Sequence, residues 1–473
     1  LVCFDFYKPQ QPNMAKLVFL FISAFIGVQS LMGADSRPSV IILLADDLGY
    51  GDVGFHGSDI ATPNIDRIAN EGVRLESFYS CPMCTPTRAG LMTGRYPLRF
   101  GMMRSVIPPQ RDYGLDPSEE TLAEVFEQGG YNHRGIVGKW HLGHRRIEWF
   151  PTEQGFTYFV GCLNGAIDYF THERDGELDW HHDLEPFKEE GYSTDLIGEA
   201  AIDFIGGVPS DEPYFLYVPF NAPHSPFQAK ESDLEKYPHR KGNRQIYAAM
   251  VDSMDQAIGK IVGAAQARDD WDNTLVLFFS DNGGVAKVAS NGEMRGNKLS
   301  QYQGGVRVAA AAYWKAGGIV GGKLVNERMG YIDVLPTMRK AIGLETAPLN
   351  HLDGIDVLDA MRGNAKLDDR SWFTYMDQND DRIERLAVNR DKWKLVMTRP
   401  APDSEKTESS LELFEIDNDP FEKLNVSLRN PEVVEELTAE MDAFLGLKSK
   451  NQIIRFRAGA NTTPAVPQWT PVD

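Results

Sequence analysis

The chain has 473 residues, 42% of them hydrophobic and 25% charged, with a formal net charge of −20. This is ordinary globular composition with enough length for one large domain and a smaller one, which excludes a disordered or fibrous chain. The acidity opposes general attraction to nucleic acid or polyanions, so an anionic ligand has to be captured locally, by buried charges acting at short range while the distant surface is screened.

Residues 1 to 13 carry no functional pattern, and Met14 reads as the start. Met14-Ala15-Lys16 precede an apolar run from Leu17 to Val28, followed by small and polar residues around Ser30 to Ala34. This is the pattern of a secretory signal peptide over 14–34. The run falls short of the about 20 residues that span a bilayer, so no stable membrane insertion is expected. The expected location is secreted or periplasmic, or lysosomal in a eukaryote. Cys81, Cys84 and Cys162 then remain, too few for a disulfide framework.

Next comes Ser39-Val40-Ile41-Ile42-Leu43-Leu44, a continuous apolar run ending in Ala45-Asp46-Asp47, as expected of a buried parallel strand with carboxylates at its carboxyl end. Tyr214 to Val218 runs likewise into Pro219-Phe220-Asn221-Ala222-Pro223-His224, and Thr274 to Ser280 runs into Asp281-Asn282-Gly283-Gly284. Three such strand ends suggest one shared crevice. Helical patterns lie between them, at Thr62–Ala69, Thr121–Phe126, Asp195–Ile205 and Tyr247–Ala264. The alternation predicts an α/β sandwich around a mostly parallel central sheet. Past about Asp356 the texture changes to short strand-like runs at Ser371–Tyr375, Leu386–Val388, Trp393–Val396 and Leu411–Glu415, then a turn at Asn418-Asp419-Pro420 and a helix from Glu432 to Leu445. The predicted division is a catalytic domain over 35–355 and an α+β subdomain over 356–473, with a small antiparallel sheet packed by a terminal helix.

Asp46 with Asp47, and Asp281 with Asn282, make an oxygen-rich set suited to a hard cation. Flexible geometry with carboxylate and amide oxygens favours Ca²⁺ over Mg²⁺, which demands a tight octahedron. Cys81 and Cys84 form a Cys-x-x-Cys pair, which read by itself is a redox or zinc motif. A closed zinc site would need two further ligands at short spacing, and no second such pair exists. His141 lies in Gly138-Lys139-Trp140-His141-Leu142-Gly143, with Lys139 two residues away and so on the same side of an extended segment. His224 and Lys298 are candidates only through their joint occurrence with the rest.

These patches, with Cys84-Thr85-Pro86-Thr87-Arg88 continued to Arg95, resemble the sulfatase family of the alkaline-phosphatase superfamily and occur in that family's order. The resemblance covers about Arg37 to Val357. Met250 to Asp255 and Gly304-Gly305-Val306-Arg307 are similar to the arylsulfatase B, or N-acetylgalactosamine-4-sulfatase, type and to microbial enzymes acting on sulfated polysaccharides. The resemblance implies an alkaline-phosphatase-like fold. It also implies that Cys84 becomes formylglycine, made by a maturing enzyme that reads the unfolded chain, and that Asp46, Asp47, Asp281 and Asn282 bind Ca²⁺. Arg88, Lys139 and Lys298 would hold sulfate oxygens. His224, helped by Lys298, would protonate the departing sugar oxygen, and His141 would take the proton that lets sulfate leave. Thr87 departs from the family motif, which usually has serine there.

The substrate implied is a galactose or N-acetylgalactosamine 4-sulfate in a sulfated carbohydrate. Two other readings stand beside it: a phosphodiesterase or phosphonate monoester hydrolase of the same superfamily, and a calcium-dependent sulfated-glycan-binding protein without turnover. A single hard-cation site favours sulfate over two-metal phosphate chemistry. Asp168 and His172, with Trp180 and His181, combine aromatic and hydrogen-bonding groups as a sugar subsite would. Asn425-Val426-Ser427 and Asn461-Thr462-Thr463 are glycosylation acceptors in a eukaryotic secretory pathway.

Overall fold

The computed structural model describes residues 1–2, 37–109, 111–376, 383–401, 404–405 and 409–447. The expected signal peptide and the acceptor at Asn461 lie outside the described residues. The chain divides into Leu1–Ser36 and Arg37–Asp473, and every described helix and strand belongs to the second unit. No described helix is long and apolar enough to cross a membrane.

The central sheet has ten strands. In chain order they are β1 (Ser39–Ala45), β2 (Val73–Leu75), β3 (His133–Lys139), β4 (Tyr158–Cys162), β5 (His181–His182), β6 (Glu185–Pro186), β7 (Tyr214–Pro219), β8 (Thr274–Ser280), β9 (Ala310–Tyr313) and β10 (Lys323–Val325). Their spatial order is β10-β2-β9-β8-β1-β7-β3-β4-β5-β6. The middle run from β8 to β4 is parallel throughout. Antiparallel partners close both flanks.

β1 is apolar from Val40 to Ala45 because both of its faces are covered. Val40, Ile42 and Leu44 pack with Phe215, Tyr217, Leu275 and Leu277 on one side. Ile41 and Leu43 pack with Leu216, Val218, Val276 and Phe278 on the other. The period of two thus sorts one run into two cores, the mark of a strand buried in an α/β layer. The second face is covered by α1 (Pro63–Glu71), α4 (Ser193–Gly207) and α5 (Asn243–Gln266). The first is covered by α2 (Cys84–Thr93), α3 (Leu122–Gln128) and α6 (Val334–Ala341). α3 begins with a capping box, in which the Thr121 hydroxyl accepts from the Glu124 N–H at 3.2 Å and the Glu124 carboxylate accepts from the Thr121 N–H at 2.7 Å. Two otherwise orphaned donors are satisfied, which stabilises the helix start by about 1 kcal/mol.

The expected C-terminal strands form an antiparallel meander of β11 (Trp372–Met376), β12 (Ile383–Arg390), β13 (Trp393–Pro400) and β14 (Ser410–Glu415), followed by α7 (Pro431–Leu445). Trp372, Tyr375, Leu386, Val388, Leu395 and Leu413 join the core beneath α2 and α3. This sheet therefore packs on the same side of the molecule as the helix that starts at Cys84.

Register decides where the polar residues fall. Leu44 pairs with Pro219 and with Phe279, and Ala45 pairs with Ser280. The three apolar runs end level, so the residues after them emerge along one edge of the sheet.

Candidate active site

Hydrogen bonds carry the sheet's order past its edge. The Asp46 N–H donates to Ala222 O at 3.0 Å and the Asp281 N–H donates to Ala45 O at 2.9 Å, locking three strand ends together. Asp47 then takes a left-handed conformation, with φ of 70°. Such backbone is costly outside glycine and persists where surroundings impose it, often at functional sites. Cys84 opens α2 and is buried. Its helix is tied to β8 through Thr87, whose hydroxyl donates to Asp281 O at 2.6 Å and accepts from the Cys81 N–H at 2.9 Å.

Lys139, at the end of β3, donates to Asp46 Oδ2. Arg88 donates through Nε and Nη2 to Asp281 Oδ2 at 3.2 and 2.8 Å, and through Nη1 to Lys139 O at 2.7 Å. Lys298 Nζ lies 2.7 Å from Asp47 Oδ1, which also accepts from Asn282 Nδ2 at 2.7 Å. Three carboxylates are thus matched by three cations in a nearly dry site. Arg88 and Lys139, expected to hold sulfate oxygens, pair here with Asp281 and Asp46, and both are fully buried.

Burial works against Asp46, but the charges of Lys139, His224, Arg88 and Lys298 outweigh it and hold this carboxyl below its ordinary range. Asp281 goes the other way, up to about 7, because burial and the adjacent Asp46 charge together exceed the help from Arg88. The two carboxyls are pushed in opposite directions, as expected of close like charges. Burial also raises the Cys84 thiol despite Lys139 and Lys298, so an unmodified thiol stays neutral and is a poor nucleophile.

The two histidines differ in tautomer. His141 Nε2 lies 3.0 Å from Ile107 O. A carbonyl can only accept, so Nε2 carries the hydrogen, and the buried Nδ1 is left as an acceptor with no partner among the described residues. Burial, then the charges of Lys139 and Arg88, push His141 well below the ordinary histidine range. His224 Nδ1 donates to Ser225 O, so its bare Nε2 faces Asp47 Oδ2 at 3.7 Å. Burial and Lys298 lower its pKa to about 4. His141 also corrects the expectation of an extended Lys139–His141 segment: its φ is 60°. The strand ends at Lys139 and the chain turns sharply. Gly165 makes room for the imidazole, since a Cβ there would come within 2.5 Å of the ring.

The donor set fits a hard cation. Asp46 Oδ1 and Asn282 Oδ1 are buried and have no hydrogen-bond partner among the described residues, and unsatisfied oxygens of this kind are costly unless something binds them. Ligand atoms of Asp46, Asp47 and His224 lie within 4.8 Å of one another. An ion there would satisfy the oxygens and separate the His224 lone pair from the Asp47 carboxylate. His224 falls in the shared crevice expected from the three strand ends, and the structure brings its ring within ligand distance of Asp46 and Asp47, although the sequence reading did not place it in the metal set of Asp46, Asp47, Asp281 and Asn282.

A cavity of 590 Å³ is lined by Cys84, His141, His224 and Lys298 and also by Asp168 and Arg174. Asp168 lines it with a constrained carboxylate that accepts from the Phe170 and Thr171 N–H groups at 2.9 and 2.8 Å and from Gln228 Nε2 at 2.6 Å. His172, Trp180 and His181 are buried and are not part of the lining. His172 stacks on Trp180 with ring centroids 4.8 Å apart, and His181 lies 3.3 Å from Asp179. These three side chains support the wall from behind. Sequence reading missed the Val106–Pro109 segment and the Glu173–Asp175 turn as lining. Paired prolines at 108 and 109 and the Asp175-Gly176 turn were the available signals.

The sequence model of the family described as Sulfatase matches residues 38–344. The chain is 31% identical over 468 residues to arylsulfatase J of Mus musculus, covering 86% of this chain and 76% of that protein. It is 33% identical over 387 residues to N-acetylgalactosamine-6-sulfatase of Canis lupus familiaris, covering 76% of this chain and 72% of the other. Among solved structures, Ps i-CgsB in complex with k-i-k-neocarrahexaose superposes with a TM-score of 0.81 at 30% identity, covering 90% of this chain and 96% of that one.

Proposed function

The chain belongs to the sulfatase family, and on that premise we propose that it removes sulfate from galactose or N-acetylgalactosamine 4-sulfate in a polysaccharide or oligosaccharide, using Ca²⁺ and formylglycine made from Cys84. That it is a sulfatase, hydrolysing sulfate esters of sulfated carbohydrates, follows from its relatives and structural neighbours. The observation that supports the calcium and formylglycine part of this reading is the cavity that Cys84, Lys298, His141 and His224 line together beside a buried, charge-matched carboxylate set, while the 4-sulfate rests on the resemblance of Met250 to Asp255 and Gly304 to Arg307 to the 4-sulfatase type. Residues 35–355 are assigned as the catalytic domain, 356–473 as its C-terminal subdomain and 14–34 as the signal for export.

Asp46, Asp47, Asp281 and Asn282 would hold the cation, and Cys84 in its oxidised form would stand at the cavity floor. When bound, the cation supplies charge neutralisation, and the modified Cys84 supplies an oxygen nucleophile with a route to release sulfate. Lys298 faces the cavity and offers a fixed positive charge to a sulfate oxygen. Arg88 and Lys139 act one layer deeper, fixing the carboxylates and keeping the site from becoming net negative toward an anionic substrate. His224 presents Nε2 at the cavity, and a proton taken up there once the anionic sulfate ester raises the basicity of the ring would pass to the departing sugar oxygen. His141 presents Nδ1 with no competing partner, positioned to accept the proton whose removal frees sulfate.

Release of sulfate from defined galacto-configured oligosaccharides sulfated at position 4 or at position 6 tests the substrate. Turnover of the 6-sulfate alone would reject the 4-sulfate assignment. Rates on paired sulfate and phosphate esters test the reaction, and phosphate preference would overturn it. Mass spectrometry of the peptide containing position 84 should show the aldehyde in active protein, and Ca²⁺ should raise the melting temperature in a way that a chelator reverses.

A further inference from the structure

We propose that Glu412 and Glu422 of the C-terminal segment are positioning residues for Lys298, holding the loop that aims this cation into the cavity. The inference rests on the proposed role of Lys298 and extends it to residues outside the catalytic domain.

Lys298 has no helix or strand beneath it. Its loop is held in the middle by two backbone bonds, from the Lys298 N–H to Gly284 O at 3.1 Å and from the Leu299 N–H to Pro82 O at 2.9 Å. Leu299 has φ of 65°, a conformation that surrounding structure must enforce. The Gly304 N–H closes the loop on Arg295 O at 2.8 Å, and its ends are further anchored by two carboxylates of the C-terminal segment. At the first, Arg295 reaches Glu412 Oε1 and Oε2 at 3.0 and 3.3 Å, and the Tyr302 hydroxyl donates to the same carboxylate. The Arg295 guanidinium also stacks 3.9 Å over the Tyr302 ring, so one carboxylate in β14 ties together residues on either side of Lys298.

At the second anchor, the Gln303 N–H donates to Glu422 Oε2 at 2.7 Å, and Lys394 Nζ lies 2.6 Å from Glu422 Oε1. Lys394 and Glu422 are both fully buried by side chain. A pair this dry is costly to desolvate and adds little net stability over apolar neighbours, so its defensible use is to fix geometry. Glu422 itself has φ of 58°. Lys394 therefore holds Glu422, Glu422 holds Gln303, and the loop that starts at Arg295 is closed on the C-terminal sheet. A charge that must meet a developing transition state loses value with small displacements, up to about a hundredfold for about 1 Å.

The test is a double-mutant cycle in protein carrying the modified Cys84. Glu412 is partly exposed, so Glu412→Ala is expected to fold. It should lower kcat on a sulfated oligosaccharide about tenfold, with faster hydrogen exchange confined to the peptide around residues 295–302. In a Lys298→Ala background the same substitution should cost less than about twofold, since a residue acting through Lys298 has nothing left to position. The buried anchor is tested by Glu422→Ala with Lys394→Met against Glu422→Gln with Lys394→Met. The second pair keeps an acceptor for Gln303 and should recover most of the activity the first pair loses. Wild-type kcat in folded Glu412→Ala, unchanged exchange around 295–302, or an undiminished loss in the Lys298→Ala background would each overturn the proposal. Full activity in Lys298→Ala alone would instead overturn the assigned role of Lys298, and this proposal with it.

Discussion

The Thr87 hydroxyl joins the helix head at Cys84 to the metal-side strand through Asp281 O, 2.6 Å away. Its methyl is accommodated in a fully buried site, which is why threonine can stand where the family usually has serine. Thr87→Val keeps the volume but strands the Cys81 N–H, and should cost about 1–3 kcal/mol in urea unfolding. Thr87→Ser should stay within about 1 kcal/mol, since it keeps both bonds. At position 84, serine offers one hydroxyl and no second one for release, so Cys84→Ser should liberate one equivalent of alcohol and stop, while Cys84→Ala should liberate none. Quench-flow counting of alcohol and sulfate distinguishes them. Glu76 illustrates titration away from the site. The nearby His56 imidazole, with Nε2 3.6 Å from the carboxylate, and the Tyr50 hydroxyl, which donates to it at 2.8 Å, outweigh burial and lower its carboxyl from 4.5 to about 2. A depressed carboxyl stabilises the fold above its unfolded value and loses that contribution as pH falls through the folded value. Glu76→Gln should therefore cost about 1–2 kcal/mol at pH 7, after discounting for partial exposure, with the difference vanishing near pH 2.

Among the elements, α7 is the clearest case of a helix whose place is decided by packing. Its run from Pro431 to Leu445 begins with proline at the first helical position, where the missing N–H costs nothing. Phe444 stacks on Phe373 with ring centroids 4.4 Å apart and meets Tyr96 edge-on at 5.1 Å. Phe444→Ala should destabilise by about 3–5 kcal/mol through lost burial and a residual cavity, read as a lower urea midpoint. The Lys139–His141 segment shows the limit of local reading. Periodicity placed both side chains on one side of an extended strand. The register of β3 against β4 ends the strand at Lys139, and the cavity then takes His141 from a left-handed turn.

For the whole molecule, the net charge of −20 and the buried cations act at different ranges. A polyanionic substrate approaching at low salt meets long-range repulsion, which the site itself cannot offset until contact. Raising ionic strength from about 10 to about 150 mM shortens the Debye length from about 30 to about 8 Å. The KM for a sulfated polysaccharide should therefore fall several-fold over that range, while that for a small aryl sulfate changes little. An unchanged or rising KM for the polymer would mean that a local basic path dominates its capture.

The sequence by itself determined the layered α/β architecture, the antiparallel C-terminal sheet and the clustering of Asp46, Asp47, Asp281 and Asn282, because short apolar runs of strand length that alternate with helical patterns and end in polar residues fit buried parallel strands opening on one edge, and the short runs past Asp356 lack the helices that parallel pairing needs. The chemical motif around Cys84 was legible for the same reason, since its residues are contiguous and their types are chemically restrictive. Tertiary structure alone decided that Arg88 and Lys139 pair with Asp281 and Asp46, that the His224 ring comes within ligand distance of Asp46 and Asp47, that His172, Trp180 and His181 are buried and do not line the cavity, and that the loop of Lys298 is tied to the C-terminal segment. Each of those facts depends on contacts between segments far apart in the chain, where register, burial and the neutralisation of neighbouring charges choose the partner and no local pattern records the choice.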